Sequence, residues 1–548
     1  MRDTLVLALV QLNPTVGAVE ANGAKVRAAR ATRADLLVCS ELVISGYPPE
    51  DLVYRISFLD RVRYEVETLA AETADNGPAL LVGAPWRENN CCYNAVLLLD
   101  GGHIAAVRYK CHLPNYGVFD EARVFTPATS VAPITFRGVR LGVLICEDMW
   151  YPDIAQHLKS AGTDILVVVN SSPFDICKPD LRRFHAEARV LETDRPLIYV
   201  NQVGGQDELV FDGVSFVLSQ KCVPLVQAPA WREAVIPTTW YRAHSGQLVC
   251  CTRQNIPPLV PEEDIYQAMM LGLHDYVIKN GFPNVLLGIS GGVDSALSAA
   301  VAVDALGPDK VHGVMLPSPY TAQDSLDDAT AIARYLGIQL DIIPIEPAIK
   351  TFGTMLAQWL AKRPPDTTEE NIQSRVRGLT LMALSNVADG LVLSTGNKSE
   401  MSVGYTTLYG DMCGGYAVLK DLYKSTVFTL AHWRNHYRPD RGLGPSGPVM
   451  PKRVLTKPPT AELRPNQTDQ DTLPPYAELD IILTSFIEDE ASVSEVIAQG
   501  FDTAVVQRIW HMLNIAEYKR RQAPPGVKIS RRAFGRERRY PMTNAYRN

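Results

Sequence analysis

The 548-residue chain is too long for one ordinary core, so two or three domains are expected. With 46% apolar and 21% charged residues it has the composition of a soluble globular enzyme, not of a disordered or collagen-like chain. Its 53 basic and 60 acidic residues give a formal charge of -7, which argues against bulk nucleic-acid binding.

No apolar run reaches the roughly 18 residues of a membrane span, and Asp164 to Asn170 (DILVVVN) has only strand length, so no membrane partner is expected. The first residues, MRDTLVLALVQLNPTVG, place a basic residue before an apolar run, as a signal peptide does. They lack a small-residue cleavage site and pass directly into Gln11, Asn13 and Pro14, so a first β-strand is the expectation. The ten cysteines include no CxxC pair, which argues against a zinc ribbon or a thioredoxin-like site. Reduced thiols and a cytoplasmic location are expected.

In chain order, strands are predicted at Thr4 to Leu12, Asp35 to Ser40, Ala79 to Ala84, Asp164 to Asn170 and Pro196 to Val203. Helices are predicted at Ala18 to Thr32 and Asp180 to Thr193. Tyr93 to Leu99 and His103 to Tyr109 flank Asp100-Gly101-Gly102, and Ile134 to Phe136 meets Val139 to Ile145 across Arg137-Gly138, which reads as two hairpins. A mixed-sheet α/β sandwich fits this half. Within it, Glu41 ends one apolar run, Lys110 ends a hairpin strand and Cys146 ends VRLGVLI. Alone, each has a mundane reading: a buried thiol, or a solvated strand end. His185, in FHAEARVL, reads as packing or surface.

The contexts of those three residues, SELVISGYPPEDL, VRYKCHLPNYGVFDE and GVLICEDMWYPD, resemble the nitrilase, or carbon-nitrogen hydrolase, family. The resemblance implies an α-β-β-α sandwich over residues 1–250 that hydrolyses glutamine. Cys146 would be the nucleophile, Glu41 the base that takes its proton, and Lys110 a donor to the oxyanion. It further implies that Tyr116, Ser172 and Lys178 grip the glutamine, with Glu121 as a supporting carboxylate.

Near Cys250 the pattern changes. Gln254 to Asp264 holds three prolines without periodicity, so a linker is expected over residues 251–264, followed by a helix at Ile265 to Lys279. Strands at Asn284 to Ile289, Val311 to Leu316, Leu340 to Ile345 and Leu391 to Ser394 then alternate with helices at Ala296 to Leu306, Leu326 to Leu336 and Asn371 to Val387. That βαβ rhythm predicts a doubly wound parallel sheet over residues 265–548. The Pro- and Gly-rich stretch Asp440 to Pro475 reads equally as a disordered insertion or as a binding loop.

The sharpest motif is GISGGVDS: Gly288, Ile289, Ser290, Gly291, Gly292, Val293, Asp294 and Ser295. It joins an apolar strand to a helix, where free N–H groups and the helix dipole hold an anion. The glycines allow close approach, and the hydroxyls of Ser290 and Ser295 would add donors. The Walker Gly-Lys-Ser/Thr ending is absent. The block resembles the PP-loop of the ATP pyrophosphatase family, which implies ATP binding, with Asp294 holding Mg2+.

TEENIQSRVRG, LSTGNKSE and GYTTLYGDMCGGYAVLKDLYK narrow the resemblance to the NAD synthetase family. It implies that Thr395 contacts ATP, that Glu400 lies by the metal or the dinucleotide, and that Asn371 and Lys519 bind deamido-NAD. It also implies a homo-oligomer and a shielded passage for ammonia. Arg375 and Arg377 alone read as solvated helix charges. The basic tail Lys519 to Arg539 has few aromatic residues, which favours substrate contact or a folded surface over RNA. The competing readings are a PP-loop amidotransferase for another acceptor, an inactive ATP or glutamine sensor, and an RNA-thiolating enzyme.

Overall fold

Alternation along the strand Thr4–Gln11 sends Leu5, Leu7 and Leu9 into one core and Ala8 and Val10 into another. The computed structural model describes residues 4–254, 257–364 and 366–545. Its chain divides into two compact units, Met1–Leu259 and Val260–Asn548. Residues 255 and 256 of the expected linker, and the ends of the two expected domains (residues 1–3 and 546–548), lie outside the described residues.

The first unit holds two mixed sheets. One runs, in spatial order, Leu248–Cys250, Ala234–Arg242, Thr4–Gln11, Leu36–Cys39, Ala79–Glu88, Cys91–Asp100 and His103–Tyr109. The other runs Pro224–Gln227, Phe216–Leu218, Leu197–Asn201, Ile165–Asn170, Val139–Ile145 and Ile134–Phe136. Their inner faces meet through Leu7, Leu9, Val38 and Leu81 against Val143, Ile145, Val167 and Ile198. The outer face of the first sheet packs on the helices Val19–Ala29 and Ile56–Glu72 through Val26, Val62 and Val66. The outer face of the second carries Pro152–Ser160 and Lys178–Thr193 through Leu158, Ala186 and Val190. This is the expected α-β-β-α sandwich. Both expected hairpins form, and Arg137 and Gly138 take the positive φ values (44° and 81°) of a tight turn.

The second unit is built on a five-stranded parallel sheet in the order Gln339–Ile342, Val311–Met315, Val285–Gly288, Leu391–Ser394 and Tyr416–Ala417. Helix Thr367–Ala388 covers one face through Val376 and Leu381 against Val314 and Val392. Helices Pro261–Lys279, Val293–Leu306 and Lys424–His436 pack together beside the strands. The first of these starts before the expected Ile265: Pro261 supplies a pre-set φ, and Glu262, Glu263 and Asp264 face the positive end of the helix dipole. The two-residue strand Tyr416–Ala417 was not expected, being too short to show alternation. Among the described residues, no helix is long and apolar enough to cross a membrane.

The stretch from Asp440 to Pro475 is held, which removes the disordered reading. Arg434, fully buried, donates to both carboxylate oxygens of buried Asp304 at 2.6 and 3.0 Å and to the carbonyl of Pro445 at 2.8 Å. Tyr266 donates to the same Asp304 at 2.7 Å, and Asn435 accepts from the N–H groups of Val449 and Met450. The basic tail is folded too. Lys398, buried, pairs with Asp421 at 2.9 Å and Glu488 at 2.6 Å and donates to the carbonyl of Arg532, while Arg538 is buried. Asp304→Ala should leave the Arg434 guanidinium buried and uncompensated, costing about 3–5 kcal/mol. Urea unfolding followed by the fluorescence of neighbouring Trp433 checks this; a loss below about 1 kcal/mol is the scale of an exposed pair and would contradict it.

Candidate active sites

In the first unit, strand ends of both sheets deliver the expected residues to one point. Leu36–Cys39 leads to Glu41, His103–Tyr109 to Lys110, Val139–Ile145 to Cys146, and Ile165–Asn170 to Ser171 and Ser172. The N–H of Glu41 donates to the carbonyl of Asn170 at 3.3 Å, so the two sheets are tied together at this edge. The approach is close: a Cβ on Gly83 would stand 2.3 Å from the Leu42 nitrogen and 2.7 Å from the Ser40 oxygen. Only glycine lets the neighbouring strand pass beside Glu41.

Lys110 and Glu41 are both fully buried. The Lys110 ammonium donates to Glu41 Oε1 at 2.7 Å and to both oxygens of Glu121 at 2.9 Å. Asn94 Nδ2 donates to Glu41 Oε1 at 2.7 Å, and the Ser171 N–H donates to Oε2 at 2.9 Å. Tyr47 donates to Glu121 at 2.8 Å. Burial opposes the Lys110 charge, but Glu121 and Glu41 outweigh it and hold the ammonium well above the usual lysine range. Burial pushes Glu121 up to about 7, with Lys110 opposing and Glu41 adding to the rise.

Cys146 is buried and lies within the electrostatic reach of Glu41, Lys110, Glu121 and Glu147. Burial, then Glu41, push its thiol well up while Lys110 opposes them, so the resting sulfur keeps its proton. Its φ of 46° is in the left-handed region, a strained conformation that turns the chain sharply from strand into the short helical turn Cys146–Met149. Asp148 holds that turn by accepting from the N–H of Ile145 at 3.1 Å, Cys111 at 3.0 Å and His112 at 2.8 Å. The Cys146 turn is thereby bound to the segment following Lys110.

The three residues expected to grip a substrate are arranged around this cluster. Tyr116 is half-exposed and donates to Glu147 at 3.0 Å. Lys178 stands 4.3 Å from the Trp150 ring centroid, with burial and Arg182 lowering its pKa. The Ser172 hydroxyl accepts from buried Arg182 at 3.0 Å, which leaves its own proton to donate. His185 packs on Trp150 at 4.3 Å between ring centroids, in line with a packing role.

In the second unit a cavity of about 540 Å³ opens at the C-terminal ends of the parallel strands, the usual ligand edge of such a sheet. Gly288, Ile289, Ser290, Gly291, Gly292, Val293, Asp294, Asn371, Thr395, Glu400 and Lys519 all line it. Ser295 does not face the cavity as expected. It is buried, donates to the carbonyl of Gly292 at 3.0 Å and accepts from the N–H of Ser290 at 3.2 Å, so it shapes the turn instead. Gly291, at φ 83°, has no room for a Cβ, which would fall 2.5 Å from the Ser325 carbonyl oxygen. Asn371 accepts from Thr407 at 2.9 Å, and the Lys519 ammonium donates to the carbonyls of Gly404 and Thr406 at 2.7 Å. Of the two helix arginines, Arg375 is exposed as expected. Arg377 instead lines the cavity, donating to the Leu316 carbonyl at 3.0 Å, and burial lowers its pKa to about 10.

The residue pair expected to hold a metal is bridged by a lysine. Lys424 Nζ lies 2.5 Å from Asp294 Oδ2 and 3.0 Å from Glu400 Oε1, while Asn397 donates to Asp294 Oδ1 at 2.9 Å. Burial pushes Glu400 up to about 7, with Lys424 opposing and the Asp294 and Asp469 charges adding. Asp294 and Glu400 thus turn hard oxygen donors toward one cationic position, the donor chemistry that magnesium takes.

Residues 6–246 match the carbon-nitrogen hydrolase family and residues 265–523 the NAD synthase family. A glutamine-dependent NAD(+) synthetase of Rhodobacter capsulatus is 48% identical over the whole of both chains. The chain belongs to the glutamine-dependent NAD(+) synthetase family. The solved structure of a glutamine-dependent NAD(+) synthetase from Acinetobacter baumannii, in complex with ADP, matches all of both chains at 39% identity with a TM-score of 0.78. That of a glutamine-dependent NAD(+) synthetase from Cytophaga hutchinsonii, at 19% identity and a TM-score of 0.82 over 99% of this chain and 98% of that one, shares the fold. In this member of the glutamine-dependent NAD(+) synthetase family, Gly83, Asn94, Asp148, Lys424 and Asp469 join the sites without having been singled out by the sequence, and Arg377, read there as a solvated charge, joins them too. Lys424 closes the LKDLYK motif; the others carry no signal outside the fold.

The raised Glu121 gives a testable sign. A carboxyl that binds its proton more tightly when folded stabilises the fold below the usual glutamate range, and that contribution is lost as pH rises through about 7. Isotope-edited infrared titration should therefore show a protonated carboxyl persisting to near pH 7 and missing from Glu121→Gln. A spectrum with every carboxyl ionised by pH 5 would contradict the assignment.

Proposed function

We propose that this chain hydrolyses glutamine in its first unit and uses the ammonia, with ATP, to amidate deamido-NAD in its second. One conjunction carries this reading: the Glu41–Lys110–Cys146 cluster and the SGGVDS phosphate turn occur in one chain of the family.

In the first unit, Glu41 takes the proton of the Cys146 thiol as the sulfur attacks the amide carbon of glutamine. Lys110, whose charge Glu41 and Glu121 hold in place, donates to the oxyanion that forms. Glu41 then hands its proton to the leaving amine, ammonia departs and a thioester remains. Water attacks that thioester with Glu41 as base, releasing glutamate. Tyr116, Ser172 and Lys178 orient the amino acid, the ammonium of Lys178 answering its α-carboxylate.

In the second unit, the N–H groups of Gly288–Ser295 and the start of the following helix cradle the phosphates of ATP. Thr395 contacts the nucleotide, and Asn371, Glu400 and Lys519 hold deamido-NAD. A nicotinate carboxylate oxygen attacks the α-phosphorus and pyrophosphate leaves. Ammonia then attacks the acyl-adenylate carbon, AMP departs and NAD results. Asp294 and Glu400 would hold magnesium, which supplies charge neutralisation for the triphosphate and the leaving pyrophosphate. The free cysteines support a reducing compartment, and we place the reaction in the cytoplasm.

Two variants separate the units. Cys146→Ala should abolish NAD formation from glutamine and retain it with an ammonium salt. Asp294→Ala should lose product with both nitrogen sources, by at least about a hundredfold, while glutamine hydrolysis persists. Coupled assays for NAD and glutamate check both; loss of the ammonium-driven reaction in folded Cys146→Ala would contradict the division of labour.

A further inference from the structure

One carboxylate in the nucleotide cavity has an oxygen without a partner. Asp469 is 4% exposed, lies in the Pro-rich stretch and lines the same cavity as Asp294, Glu400 and Lys424. Tyr476 donates to its Oδ2 at 2.8 Å, while its Oδ1 is buried with no hydrogen-bond partner. A buried carboxylate oxygen left bare is costly, and such atoms are normally paired in some state of the site.

Two donors stand near it, the hydroxyl of Tyr405 and the ammonium of Lys424, and of the two only Lys424 carries the charge that answers a buried carboxylate. The Lys424 ammonium lies 5.2 Å from the ring centroid of Tyr476, the residue whose hydroxyl already holds Asp469. Lys424 stands on Asp294 and Glu400 at the point where a divalent ion would sit, and two cations cannot share that point. Its side chain is long, flexible and strongly charged. Among the described residues, no three Asp, Glu, His or Cys side chains stand close enough to ligate one metal, so Asp469 is not placed as a third ligand beside Asp294 and Glu400.

We propose that Asp469 is the second berth of the Lys424 ammonium. When a divalent cation enters between Asp294 and Glu400, the lysine swings past the Tyr476 ring and pairs with Oδ1 of Asp469. Asp469 is thus a positioning residue. Its pairing partner there is Lys424, and the inference rests on the reading of Asp294 and Glu400 as metal ligands.

The test is Mn2+ binding to the full-length protein in the presence of ADP, read from the spin-resonance signal of free Mn2+. Asp469→Asn should weaken binding about tenfold, the scale of a lost outer partner. In a Lys424→Met background, where no ammonium needs a berth, only the direct field of Asp469 at Glu400 is lost, and Asp469→Asn should weaken binding by about twofold or less. Equal weakening in both backgrounds, or none in either, would overturn the proposal. Tyr476→Phe probes it without altering the carboxylate: without the Tyr476 hydrogen bond, Asp469 should draw Lys424 more strongly and tighten Mn2+ binding, and unchanged affinity would count against it. Failure of the parent protein to bind Mn2+ would remove the metal reading as well. Normal parent binding that Asp469→Asn leaves intact would remove the berth alone.

Discussion

A carboxylate taken out of water needs a cation, and each unit of this chain meets that need with a buried lysine between two acids. Lys110 sits between Glu41 and Glu121; Lys424 sits between Asp294 and Glu400. Removing either partner from such a cluster leaves an uncompensated buried charge, so the geometry is held by electrostatics as much as by packing. The two clusters differ in the part we propose for them. In the first, the lysine is locked by three short contacts to its carboxylates, as a fixed donor would be. In the second, the lysine stands where the proposed metal would bind.

Secondary structure brings these charges together cheaply. Strand ends on one edge of the sandwich carry Glu41, Lys110 and Cys146, and the order of the sheets makes residues distant in sequence into neighbours. The fine placement comes from local exceptions to ordinary backbone. Cys146 adopts a left-handed φ, and Gly83 allows the strand beside Glu41 to approach within a distance that no side chain permits. In the parallel sheet, Gly291 does the same for the phosphate turn against the helix beginning at Gln323.

Much of this was legible in the residues themselves. The sandwich strands announced themselves by alternation or by short apolar runs, and the βαβ rhythm of the second half gave its parallel sheet. Other features were hidden for physical reasons. The start of the helix at Pro261 was obscured because three prolines in a row of eight residues read as a linker, although proline at the first helical position is favourable. Ser295 looked like an anion donor because its motif supplies hydroxyls, but only the folded turn reveals that its proton is committed to Gly292. Lys424 pairs with Asp294, 130 residues away, and Asp148 accepts from the N–H groups of Cys111 and His112, some 36 residues away; no periodicity marks a residue whose partners are that distant.

The central claim is that nitrogen freed at Cys146 is the nitrogen captured on an adenylated carboxylate by the same chain. The most direct measurement supplies glutamine labelled with 15N in its amide, together with deamido-NAD, magnesium-ATP and an equal concentration of unlabelled ammonium, and weighs the NAD formed. The account predicts NAD carrying the label in its carboxamide. Absence of NAD, or NAD containing only unlabelled nitrogen, would contradict it.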